Sequence, residues 1–173
     1  MAEAKIPPSE RIVSSFKQLA VETNECNAAD AELGETISIL ESTLAKLRPQ
    51  VSAWYNIAQS EPDENGEYWT RDIGYARIGD QWNIALRRTW GNEYHEYHRE
   101  EVWPFKDAPR WMHIESAGKL PDLFDELVKR TKETTSKLRA RTAQAKELAA
   151  ALTATLPETI PAPTGKAKGD GKR

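Results

Sequence analysis

His95 and His98 are three positions apart, with two residues between them, in a run that also holds Glu93, Glu96, Glu100 and Glu101, with His113 further along the chain. Imidazole and carboxylate are the ligand types a divalent ion takes, and the groups that acid–base catalysis uses. The spacing works against a shared ion. On a strand, residues three apart point to opposite faces, so the two rings converge only on a helix or a bulge. A polar edge strand carrying surface histidines accounts for the same residues. No metal or other cofactor is therefore expected, and His95 and His98 are the residues a metal-dependent enzyme would have to use. Nucleophilic chemistry has no better footing: there is no Gly-x-Ser-x-Gly elbow and no phosphate-cradling glycine loop. The lone thiol, Cys26, falls on a helical seam, where a buried cysteine is inert. No catalytic residue is assigned.

Arg71, Arg77, Arg87, Arg88, Arg99 and Arg110 interleave with tryptophan and tyrosine, the ingredients of a nucleic-acid platform. The same residues also suit cation–aromatic packing at the rim of a sheet. A net charge of −3, from 24 basic and 27 acidic residues, favours the second reading. The surface aromatics and their neighbours, Trp103, Arg88, Trp90, Tyr94 and Tyr97, then become candidates for binding another protein.

The elements that must position these groups follow from apolar spacing. From Ile12 through Phe16, Leu19, Cys26, Leu33, Ile37, Leu40, Leu44 and Leu47 to Trp54, alternating steps of four and three mark one helical seam of a coiled-coil type. A helix is predicted over 9–58, capped by Ser9 and kinked near 48–49 by Pro49. A second seam runs from Leu120 and Phe124 through Leu127 to Leu138, Leu148 and Leu152, predicting a helix over 120–156. Residues 9–47 hold three basic and seven acidic groups, whereas residues 122–148 hold seven basic and five acidic. Opposite charges flanking two seams favour their pairing, so the helices are expected to form an antiparallel, coiled-coil-like hairpin. Residues 1–8 are expected to be a flexible N-terminus. Residues 157–173, rich in proline, glycine and lysine, are expected to be a disordered basic tail.

All six tryptophans fall between Trp54 and Trp111, and residues 61–119 read as an aromatic head of three antiparallel strands and a short helix. A two-residue turn at Gly79-Asp80 pairs Ile78 with Gln81, Tyr75 with Ile84, Ile73 with Leu86 and Trp69 with Trp90. One face then collects Trp69, Ile73, Tyr75, Trp82, Ile84, Leu86 and Trp90, while the other pairs Asp72 with Arg87 and Thr70 with Thr89. A one-residue slip would destroy that sorting. A second two-residue turn at Gly91-Asn92 would set Leu86 opposite Tyr97 and place Arg87 between Asp72 and Glu96. Asp107 is expected to cap the short helix, and Trp54, Trp111, Ile114 and Leu123 to cover the apolar face.

The expected molecule is thus an α+β protein, with a β-meander and a short helix inserted into a helical hairpin. Its expected work is non-catalytic: protein interaction or assembly, through a partner or through self-association of the helices. A nucleic-acid-associated accessory protein and a metal-dependent enzyme are the alternatives. No apolar run reaches the roughly 18 residues of a membrane span, and the Met-Ala-Glu-Ala-Lys start does not read as a signal peptide. A cytoplasmic location without membrane contact is expected.

Overall fold

A computed structural model describes residues 7–95 and 97–155. In chain order it comprises α1 (Pro8–Leu47), β1 (Ala53–Gln59), β2 (Glu67–Ile78), β3 (Gln81–Asn92), β4 (Tyr97–Pro104), a 3₁₀ turn (Phe105–Asp107), α2 (Arg110–Ala117) and α3 (Leu120–Thr155). The fold is α+β, with one antiparallel sheet in the order β1-β2-β3-β4. The chain divides into a unit ending at Lys132 and another beginning at Glu133. The expected basic tail at 157–173 and most of the expected flexible N-terminus lie outside the described residues. Among those described, no helix is long and apolar enough to cross a membrane.

The predicted long helix ends early. Pro7, not Ser9, occupies the N-cap of α1, and Pro8 sits at the first helical positions, where its missing amide costs nothing. At the other end Arg48 turns left-handed and its N–H bonds the Leu44 carbonyl at 2.9 Å. Pro49 follows, and the helix does not resume. Residues 53–58, expected to continue it, fall in β1 instead. Trp54, Tyr55 and Ile57 are strand formers, and an open edge of β2 was available to pair with them. The sheet therefore has four strands rather than three.

The β2–β3 hairpin has the register read from the turn. Ile78 faces Gln81, Tyr75 faces Ile84, Ile73 faces Leu86 and Trp69 faces Trp90, with Asp72 opposite Arg87 on the other side. Gly79 supplies the positive φ of 59° that this turn uses. The β3–β4 register differs from expectation: Leu86 faces Trp103 and Arg87 faces Val102. Gly91 and Asn92 belong to β3, and the chain reverses after them. There the Asn92 Oδ1 accepts the N–H groups of Tyr94 at 2.9 Å and His95 at 3.2 Å. Gly91 serves clearance rather than a turn, because a Cβ there would collide with the Tyr97 carbonyl and the Tyr68 hydroxyl.

One sheet face carries the core. Ile73, Tyr75, Ile84 and Leu86 are buried against Ile37 and Leu44 of α1, Phe105, Met112 of α2, and Leu123 and Leu127 of α3. Leu123 covers the sheet as expected. Ile114 is exposed, and so is Trp111. Trp54 lies on the opposite face, because its strand pairs it with Gly74. Its ring occupies the space a Cβ of residue 74 would need and stacks under the Arg87 guanidinium at 4.3 Å. Pro109, not Asp107, occupies the N-cap of α2, since Asp107 is taken up by the preceding 3₁₀ turn.

Burial of the first seam starts only at Leu33. Every residue from Pro7 to Ala29 is exposed. Taken by itself, the segment from Thr135 to Thr155 is also exposed throughout.

Candidate functional site

The residues singled out as interaction candidates divide among three places. Arg88, Trp90 and Tyr97 line one cleft of about 490 Å³ at the end of the sheet, together with Trp69, Glu61, Asp63 and Glu67. Tyr94 stands just outside it, with its ring packed on Gly66, whose φ of 78° no side chain tolerates well. Trp103 does not belong to this group. It is half-buried and packs against the core opposite Leu86.

The cleft is held open by a built loop. The Asp63 carboxylate accepts the N–H groups of Asn65 at 2.8 Å and Glu67 at 2.9 Å. Asn92 donates to the Asn65 carbonyl at 2.9 Å and so ties the loop to β3. The aromatic rings around this rim already have cations on them. Arg71 lies 4.1 Å from the Trp69 ring and 4.9 Å from Trp111, Arg88 lies 5.0 Å from Trp90, and Arg99 lies 5.2 Å from Tyr97. Arg71 is also paired with Glu115. Rings and guanidinium groups that satisfy each other leave little for stacked bases or phosphates. Three carboxylates also line the cleft, so its walls carry both signs of charge.

The histidines do not converge. His95 lies in the exposed turn rather than on a strand, and His98 on β4 has its Nδ1 3.2 Å from the Tyr68 hydroxyl. Glu96 is outside the described residues. Among those described, no group of three or more His, Cys, Asp or Glu residues could hold a metal ion. Arg87 does lie between two carboxylates, but the second is Glu100 at 3.6 Å, with Asp72 at 3.0 Å. The shifted β4 register brings Glu100 there in place of Glu96.

A polar cluster that spacing alone did not reveal joins α1 to α2. The buried His113 ring sits with Nδ1 2.8 Å from Asp30 and Nε2 2.6 Å from the Phe105 carbonyl. Arg110 reaches Asp30 at 3.1 Å and Asn27 at 2.7 Å. Hydrogen bonding from His113, then from Arg110, holds the Asp30 carboxyl below the ordinary carboxylate range against the opposing effect of burial. Cys26, expected to be buried, is exposed beside Arg110, because α1 has no covering layer at that point. Asp30 breaks the apolar seam, and that break is the trace this cluster left in the sequence.

None of these arrangements presents a nucleophile beside a free base. Exposed apolar rows lie on the helices. Ile12, Phe16 and Leu19 on α1 are 69%, 72% and 60% exposed and line a groove with Pro8 and Arg11. Leu138, Leu148 and Leu152 on α3 are likewise exposed. Comparison of the chain with protein-family models, with curated proteins and with solved structures returns no match.

Proposed function

We propose that this is a non-catalytic assembly protein whose sheet-and-helix core anchors two long helices for pairing with a second copy of the chain. The observation that carries the reading is the exposed row Ile12–Phe16–Leu19 on α1. A helical stretch of about 20 residues gains little from propensity alone in water, and most helical stability comes from packing an apolar face. Residues 8–29 have such a face, and none of the described residues of the first unit covers it.

Charge favours a like chain as the partner. The first seam is flanked mainly by acids, whereas residues 133–155 hold four basic groups and two acidic ones. In a two-fold dimer each acidic helix meets a basic one, and each contact occurs twice. Light scattering over micromolar concentrations is expected to give a mass above the 19.5 kDa of one chain. Phe16→Asp, on an exposed position, is expected to return the chain to a monomer without unfolding the sheet. A monomeric mass for the wild-type protein throughout that range would sink the reading.

A further inference from the structure

Between the last turns of α1 and the open end of β3 lies a cavity of about 550 Å³, separate from both the helical rows and the aromatic cleft. Its origin is a mismatch in strand length. β4 pairs with β3 only from Ala85 onward, which leaves Gln81 to Ile84 with no strand on that edge. α1 closes the edge with a side chain: Glu41 accepts the Ile84 N–H at 2.8 Å on one carboxylate oxygen. The other oxygen makes no hydrogen bond with a described residue.

We propose that this cavity binds a small organic cation carrying an alkylammonium group, held by the Glu41 carboxylate and the Trp82 ring. Three observations support a cation. Glu41 is partly withdrawn from water and has no ion-pair partner within 4 Å among the described residues; burial raises its carboxyl above the ordinary range, against the lowering effects of the Ile84 N–H and of the more distant Lys106 charge. Trp82 stacks on the buried Tyr75 ring with centroids 5.3 Å apart, so its indole is fixed in place as a cation–π surface. Ala45 and Arg48 place the C-terminal end of α1 at the wall, where the helix dipole favours positive charge and where Arg48 is itself one cation. Arg48 and Gln50 are the non-glycine residues with positive φ among those described, both at 48°, and both line this cavity. At Arg48 that backbone is the left-handed cap that ends α1. The volume lies within the range of small-molecule pockets.

The test is titration of the whole chain with n-butylammonium chloride, followed by the indole N–H signal of Trp82 in nitrogen-edited NMR, with sodium chloride as the ionic-strength control. Saturable shifts centred on Trp82 are expected. Glu41→Gln, which keeps an acceptor for the Ile84 N–H, is expected to weaken binding about tenfold or more. Trp82→Leu is expected to weaken it severalfold through a different contact, so a folding defect in one variant leaves the other to decide. Sodium butyrate, of similar shape and opposite charge, is expected not to bind. No saturable shift with butylammonium up to tens of millimolar, equal affinity in Glu41→Gln, or preferential binding of butyrate would each overturn the proposal. Because the light-scattering mass does not depend on this cavity, the dimer and the cation site stand or fall separately.

Discussion

The His113 imidazole is clamped between the Asp30 carboxylate of α1 and the Phe105 carbonyl, at 2.8 and 2.6 Å. It also stacks on the Phe105 ring, with centroids 4.6 Å apart. One side chain thus joins the first helix, the 3₁₀ turn and α2. His113→Ala removes the stack and orphans a buried carbonyl. A loss of about 1–3 kcal/mol is expected, read as a lower urea midpoint with an unchanged slope.

Acid should weaken the same junction. The Asp30 carboxyl is held below its ordinary value of 3.8, first by its hydrogen bond from His113. A group depressed in the folded state contributes stability above its unfolded value and loses it as pH falls through the folded one. Below about pH 4, wild-type stability is expected to fall more steeply than that of Asp30→Asn. Parallel stability–pH curves for the two proteins across that range would contradict this assignment.

Two glycines should respond to alanine with opposite signs. A Cβ on Gly74 would run into the Trp54 ring, and displacing that ring also breaks its stack with Arg87. Gly74→Ala is expected to cost about 1–3 kcal/mol. At Gly34, inside α1, a Cβ meets nothing within 4 Å. Gly34→Ala is expected to stabilise by about 0.5–1 kcal/mol through helix propensity. Thermal melts of the two variants decide both.

Arg71 is sandwiched between Trp69 and Trp111 and paired with Glu115. Lysine keeps the charge but loses the planar stack. Arg71→Lys is therefore expected to cost about 0.5–1 kcal/mol. A double-mutant cycle with Trp111→Ala is expected to show that the two changes are not additive.

The β2–β3 register was legible because it is local. A glycine turn and strict apolar alternation leave one pairing that sorts Ile73, Tyr75, Ile84 and Leu86 from Asp72 and Arg87. The β4 register was not legible, because Gly91 has two physical uses. Its sequence context suits a turn, whereas the fold uses its small size to let the Tyr68 hydroxyl and the Tyr97 carbonyl approach. Trp54 illustrates the same limit. Its spacing continues a helical seam, yet Pro49 ends that helix and the free edge of β2 recruits the segment as a strand.

The candidate sites divide in the same way. Arg88, Trp90 and Tyr97 could be picked out by composition, and the fold does gather them in one cleft. Glu41 could not, because nothing in a helical glutamate foretells an unpaired Ile84 N–H more than forty residues away.

By itself the sequence determined the α+β class, the register of one hairpin, and the apolar periodicity and opposite charges of the two helical stretches. These follow from periodicities and turn chemistry that act over a few neighbouring residues. Only the tertiary structure decided the fourth strand, the face on which Trp54 lies, and the clamp on His113. It also decided the cavity at Glu41. Each of these depends on which backbone edges and polar groups remain unpaired once the rest of the chain has packed, and that is a property of the assembled fold.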